Sequence, residues 1–164
     1  MEQNTIREWM VRWLLLAAAL HLVVGAALPW LAGGALLDDY HRGIEAAFWP
    51  AGAPGGAREL QAWWMALFGP TIQVMALWMA ALIHLAGRMR EARIWLWLVA
   101  GLLVWAPQDM LVSLRAACWA HVWTDAAALA VMLPPLLWLW RHDRAASRVV
   151  PAGGRGTPAQ GAAS

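Results

Sequence analysis

Four stretches of this chain are apolar enough and long enough to cross a lipid bilayer. They lie at about residues 13–32, 62–86, 94–113 and 116–140. A membrane-spanning helix needs about 20 predominantly apolar residues. Since the bilayer core offers no water to the backbone, such segments satisfy their hydrogen bonds internally as helices. The sequence therefore predicts an all-α membrane protein, with four transmembrane helices in one domain of residues 1–144.

Composition agrees with this fold class. The chain is 62% hydrophobic and 13% charged, whereas soluble domains have about 25% charged residues. A net charge of +2 gives no sign of a nucleic-acid partner. All twelve basic residues are arginine, which, with the abundance of Ala and Gly, indicates a GC-rich bacterial genome. We therefore expect the lipid bilayer as the main partner and no nucleic acid.

The first apolar run has two interpretations. It could be a signal peptide cleaved near Ala26-Ala27, or an uncleaved first helix. The run is longer than the apolar core of a typical signal peptide, and its preceding segment is acidic as well as basic. We favour the uncleaved helix, ended by Pro29 and the glycine pair 33–34.

Residues 38–49 have a different pattern. Tyr40, Ile44 and Phe48 recur every four residues. Two pairs at the same spacing occupy the polar side: Asp38 with Arg42, and His41 with Glu45. This pattern predicts a short amphipathic helix on the periplasmic membrane surface, between the first and second transmembrane helices. It would act as a lid packed on the helix ends or, alternatively, as a substrate gate.

Arginine counting predicts the orientation. If the N-terminus is cytoplasmic, nine of the twelve arginines lie inside, and Arg42, Arg58 and Arg115 lie outside. Tryptophans near the ends of the runs, among them Trp95 and Trp97, would anchor the helices at the interfaces. We therefore expect a multi-pass protein of the bacterial inner membrane with both termini cytoplasmic. The tail 145–164, rich in Gly, Ala and Pro after its basic start, is expected to be disordered there.

Asp109, within the segment Trp105-Ala-Pro-Gln-Asp-Met110, is the polar residue that most needs a partner. A carboxylate in hydrocarbon costs several kcal/mol, about 2.5 to 3.5 on insertion scales, unless it is paired. Its nearest candidate partners in the sequence are Arg115, His121 and Asp125. His121 and Asp125 are one helical turn apart, so the carboxylate could orient the imidazole.

Polar residues from all four predicted helices are expected in the outer half of the membrane. The candidate pocket has eight members: His21, Gln73, Gln108, Asp109, Arg115, His121, Thr124 and Asp125. Such residues either fix the helix register by hydrogen bonding or form a functional site. No catalytic residue can be assigned among them.

Several other chemistries are disfavoured. A haem needs two histidines at one depth, but His21, His84 and His121 lie at three depths. Zinc would require the helix rotations to bring Asp109, His121 and Asp125 together. The chain has no HExxH, GxSxG or phosphate-loop motif. We therefore predict no metal and no cofactor.

Cys118 is the single cysteine, so no internal disulfide can form. At the oxidising face of the membrane it could link two copies of the chain, although a buried, inert thiol is the expectation we favour. The possible protein partners are accordingly further copies of the chain, in a homo-oligomer, or the members of a larger membrane complex.

Three segments carry a resemblance to a protein family: Tyr40-His-Arg, Trp105-Ala-Pro-Gln-Asp-Met110 and Met132-Leu-Pro-Pro-Leu-Leu-Trp-Leu-Trp-Arg141. Together they resemble a group of small proteobacterial inner-membrane proteins, some of which carry the label "cell division protein". The resemblance implies four helices in the inner membrane. It implies no catalytic residues.

Two functions remain open at this stage. The first, which the sequence favours, is a non-enzymatic accessory or scaffolding membrane protein, which associates through its helix faces. The second is a small membrane enzyme or carrier that binds a lipid, a quinone or a proton in an outward-facing polar pocket. A dry, fully paired polar cluster would favour the first function. A pocket open to the outer leaflet and lined by Asp109, His121 and Asp125 would favour the second.

Overall fold

The computed structural model describes residues 2–149 of the chain. The helices are α1 Glu2–Leu31, a 3-10 turn Ala35–Leu37, α2 Asp38–Phe48, α3 Ala57–Met89, α4 Ala92–Arg115 and α5 Trp119–Val149. Within this described part, α1, α3, α4 and α5 are each long and apolar enough to cross a membrane. The predicted all-helical fold with four such helices is therefore confirmed.

The long helices extend further than the apolar runs that predicted them. Polar residues at the flanks continue the helices, and the prolines of the apolar runs lie inside them: Pro29, Pro70, Pro107, Pro134 and Pro135. Arg148 in the last turn of α5 complements the negative helix end. Residues 145–149, predicted to be disordered, are therefore helical, and the rest of the predicted tail lies outside the described residues.

A buried apolar cluster joins all four long helices at one end of the bundle. Each helix contributes two residues to it: Leu14, Ala18, Ile83, Ala86, Trp95, Val99, Leu136 and Leu139. This is the end at which α1 begins and α5 ends, and we name it the basal end. The opposite end, which carries α2 and the α4–α5 turn, is named the α2 end.

A buried ion pair also joins the four helices at the basal end. Arg7 Nε donates to Asp143 Oδ1 at 2.8 Å, and Arg7 Nη2 donates to Asp143 Oδ2 at 2.9 Å and to Gly87 O at 3.1 Å. Trp95 Nε1 donates to Asp143 Oδ2 at 2.9 Å. Trp95 is fully buried, so its predicted place as an interfacial anchor is corrected: its indole N–H bonds Asp143 within the bundle. Trp97, predicted alongside it, is exposed.

Glycines bring α1 and α3 close together. A Cβ at Gly69 would lie 2.6 Å from Gly25 O, and one at Gly25 would lie 2.7 Å from Gly69 O. Gln73 Nε2 donates to Gly25 O at 3.3 Å across the same contact. Small residues and side-chain hydrogen bonds are the usual means by which helices pack closely in membranes, where the hydrophobic effect contributes little to helix association.

Helix α2 is held against the neighbouring helix ends by polar contacts. Arg58 of α3 binds Glu45 through two hydrogen bonds, of 2.7 and 3.0 Å, and Asp38 through one of 2.8 Å. These bonds from Arg58 hold the pKa of Glu45 below its usual range. The Arg58 guanidinium therefore holds α2 against α3 at two points, Asp38 in its first turn and Glu45 in its last.

The predicted faces of α2 are corrected in part. Asp38 and Arg42 do pair, at 3.9 Å. His41, placed on the polar side by the sequence pattern, is instead buried: its Nε2–H donates to Ala32 O at 2.7 Å and its Nδ1 lies 3.2 Å from Gln61. Its predicted partner Glu45 binds Arg58, since a full guanidinium charge with two donors outcompetes an imidazole. Phe48, from the predicted apolar face, is exposed.

Candidate functional site

Two carboxylates and an imidazole meet between α4 and α5 near the α2 end. His121 Nε2 lies 3.2 Å from Asp109 Oδ2 and 3.9 Å from Asp125 Oδ2. One possible ligand atom from each of the three residues lies within 4.8 Å of the others. Asp109 lies in the second-to-last turn of α4, and His121 and Asp125 lie in the first two turns of α5. The short connection 116–118 therefore places the three residues side by side.

Tyr40 of α2 contacts this group from the α2 end of the bundle. Its hydroxyl lies 3.0 Å from His121 Nδ1. The imidazole is therefore contacted at both nitrogens, by a phenol on one side and by carboxylates on the other. Burial raises the pKa of the Tyr40 hydroxyl, and the nearby Cys118, Asp109 and Asp125 act in the same direction. Tyr40 is consequently a neutral hydrogen-bonding group over the usual pH range.

Trp105 orients Asp109 from within α4. Its Nε1–H donates to Asp109 Oδ2 at 3.1 Å, one helical turn away. This oxygen is also the one that faces His121. Asp109 is thus fixed by a donor of its own helix and directed across to α5.

Asp125 differs from the other members in lacking a partner for one oxygen. The residue is 2% exposed, and its Oδ2 has no hydrogen-bond partner among the described residues. A buried polar atom left without a hydrogen bond costs about 1 to 3 kcal/mol, and more when it is charged. This oxygen lies 3.9 Å from His121 Nε2, beyond hydrogen-bonding distance.

The group is accessible from the surface of the bundle. The side chains of Asp109 and His121 are each 33% exposed. Two shallow depressions, of about 190 and 210 Å³, lie beside the imidazole and share the lining residues Tyr40, Ile44, Cys118 and His121. Asp109 and Asp125 do not line them. Burial raises the pKa of the Cys118 thiol, which keeps it in the less reactive neutral form.

The other five members of the predicted pocket lie elsewhere. His21 and Gln73 bond the backbone of α1, at Ala17 O and Gly25 O. Gln108 and Thr124 are exposed and each bonds a carbonyl of its own helix, one turn earlier. Arg115 is exposed, and within the described residues it forms no ion pair with either aspartate.

The structure therefore reduces the eight-residue prediction to Asp109, His121 and Asp125 and adds Tyr40 and Trp105. The sequence pattern contained a signal for Tyr40, since a lid packed on the helix ends was one of the expectations for α2. For Trp105 the signal was its spacing of four residues from Asp109.

Acidic side chains outnumber basic ones at the site. The ion pairs of Asp109 and Asp125 within the described chain are both with His121. Two carboxyl groups therefore share one imidazole as their basic partner. The arrangement is thus suited to a cationic ligand and unsuited to a phosphate or a carboxylate.

Comparison of the chain with protein-family models, with curated proteins and with solved structures gave no match.

Proposed function

We propose that this protein is a small membrane carrier or enzyme that binds a cationic ligand at Tyr40, Asp109, His121 and Asp125. The observation that carries the proposal is the buried Asp125 oxygen without a partner, beside a half-exposed imidazole and a second carboxylate. A group that served only to hold helices together would be dry and fully paired, because each unpaired buried atom lowers stability. An accessory or scaffolding role is therefore less well supported.

The donor groups favour a cation as the ligand. One donor atom from each of Asp109, His121 and Asp125 lies within 4.8 Å of the others, and carboxylate oxygens would repel the phosphate of a lipid headgroup. The two depressions beside the imidazole are not lined by either carboxylate, so the proposed cation lies between the three side chains and not in the depressions.

Isosteric substitutions test this proposal. We expect Asp109→Asn, Asp125→Asn and His121→Gln each to abolish complementation of a deletion strain. Thermal unfolding in detergent should stay unchanged or rise for the two Asn variants, because an amide keeps hydrogen bonds and removes a costly buried charge. Complementation and melting temperature would be measured for the same variants, expressed at the same level.

Gln108→Ala is the matched control. Gln108 is adjacent to Asp109 in sequence but exposed, and it bonds only its own helix. We expect full complementation from this variant. If complementation by the three site variants falls only as far as the amount of folded protein falls, the site has a structural role. The accessory function is then the correct one.

We further propose that the protein lies in the bacterial inner membrane with both termini cytoplasmic, which places α2 and the site on the periplasmic side. The nine-to-three arginine asymmetry supports this orientation. Since α1 begins and α5 ends at the basal end, cytoplasmic termini would place the site, at the opposite end of the bundle, toward the outer leaflet.

Cysteine labelling tests the orientation. In a Cys118→Ser background, Ala53→Cys in the exposed 50–56 loop should react with an impermeant maleimide added to intact spheroplasts. Met89→Cys, 63% exposed at the basal end, should react only after the membrane is opened. Ala92, at the same turn, is buried and is unsuitable as a probe position. Labelling of Met89→Cys but not Ala53→Cys from outside would reverse the orientation.

A further inference from the structure

We infer that Asp109, His121 and Asp125 form a binding site for a divalent transition-metal ion, with Zn²⁺ as the representative case. The inference rests on the proposed function and names its cationic ligand. The sequence alone disfavoured zinc, because it could not show whether the helix rotations bring these three side chains together. The structure places a donor atom of each within 4.8 Å of the others.

The separations fit a coordination polyhedron. Zinc lies about 2.0 to 2.2 Å from imidazole nitrogens and carboxylate oxygens, so two ligands of a tetrahedral ion lie roughly 3.4 Å apart. His121 Nε2 is 3.2 Å from Asp109 Oδ2 and 3.9 Å from Asp125 Oδ2. The third pair, Asp109 with Asp125, lies within 4.8 Å. Side-chain rotations that shorten the longer separations would bring all three donors onto one ion.

The buried Asp125 oxygen supplies independent support. It is nearly inaccessible to solvent and has no hydrogen-bond partner among the described residues, yet it lies on the side of the imidazole that faces Asp109. A metal ion at this point would satisfy the orphaned oxygen and neutralise the two carboxylates together. Without a cation, the same oxygen is a destabilising feature of the bundle.

Contacts around the three ligands match the outer shell of a metal site. A metal-bound histidine usually donates its other ring N–H to a neighbouring oxygen, which fixes the ring orientation. Tyr40 Oη lies 3.0 Å from His121 Nδ1 and can accept this proton when Nε2 binds the metal. Trp105 Nε1–H donates to Asp109 Oδ2, as outer-shell donors to ligating carboxylates do.

The donor set indicates the class of ion. One imidazole and two carboxylates suit Zn²⁺, Mn²⁺ or Fe²⁺, whereas Ca²⁺ requires six to eight oxygen ligands and Mg²⁺ retains most of its water. Three protein ligands leave a fourth position open, as in catalytic and exchangeable sites rather than in closed structural ones. That position is available to water or to a substrate atom.

Metal binding to the full-length protein, purified in detergent without a histidine tag, tests the inference. Titration with ZnCl₂ by calorimetry should give one ion per chain, and Co²⁺ should give the intense visible bands of a four-coordinate site. Asp125→Asn and His121→Gln should weaken Zn²⁺ binding at least about 100-fold, and Tyr40→Phe about 10- to 100-fold through the loss of an outer-shell partner.

His84→Gln is the matched control, because His84 is an exposed histidine of α3 remote from the site, and it should leave Zn²⁺ affinity unchanged. Absence of Zn²⁺ and Co²⁺ binding, or binding unaffected by Asp125→Asn and His121→Gln, overturns the inference. If those variants still abolish complementation without folding defects, the proposed function stands with another cation, such as an organic ammonium. If Zn²⁺ binds as expected but complementation survives the variants, the metal site stands and the proposed function fails.

Discussion

Asp143→Asn is expected to lower the free energy of unfolding by about 3 to 5 kcal/mol, the usual cost of breaking a buried ion pair from one side. Asp143 is 1% exposed and accepts hydrogen bonds from Arg7 and Trp95, and Arg7 is itself 5% exposed. The amide leaves the guanidinium charge buried without a counter-ion. Reversible unfolding in mixed micelles with increasing SDS would measure the loss.

Two further variants test whether the loss of stability comes from the buried, uncompensated charge of Arg7. Arg7→Met combined with Asp143→Leu removes both charges and should recover part of the stability, because apolar replacements of a buried pair are often neutral or better, whereas the buried Trp95 N–H loses its acceptor. Arg12→Gln is the exposed counterpart: Arg12 is 80% exposed and 4.0 Å from Glu8, so its loss should cost under about 1 kcal/mol. Equal effects of Asp143→Asn and Arg12→Gln would show that the basal ion pair contributes little.

This ion pair also shows the limit of sequence reasoning about the fold. The length and hydropathy of the four runs predicted four helices, because the bilayer thickness imposes a minimum apolar length. Arg7 and Asp143 lie at the margins of those runs, where charges usually meet water or lipid headgroups. Their contact joins residues 136 positions apart, and no local pattern encodes it.

The sequence predicted the part of the candidate site that depends on the depth of each residue in the membrane and on its spacing along the helix. His121 and Asp125 are one turn apart, and the short α4–α5 connection puts Asp109 at a similar depth, so their proximity follows from sequence positions. His21 and Gln73 were expected in the same half of the membrane, but both bond the backbone of α1. Rotation about a helix axis changes by about 100° per residue, and depth alone does not determine it.

The close contact between α1 and α3 is a second feature, after the basal ion pair, that the sequence did not predict. Gly25 and Gly69 were two of fourteen glycines in the chain, and only the structure distinguishes them from the others. Each would place a Cβ within 3 Å of the partner's backbone. Gly101, in the middle of α4, has no atom within 4 Å of its Cβ position.

Gly69→Ala should therefore lower the free energy of unfolding by about 1 to 3 kcal/mol, as overpacking a tight contact does. Its methyl group would meet Gly25 O at 2.6 Å and the Pro29 ring at 2.7 Å. These are backbone and ring atoms, so α1 and α3 must separate to accommodate it, with loss of the Gln73 bond to Gly25 O. Gly101→Ala makes the same chemical change without a clash and should raise stability, by up to about 1 kcal/mol from helix propensity. Unfolding of both variants under identical micelle conditions should move in opposite directions, and a shift in the same direction for both would refute close α1–α3 packing at these glycines.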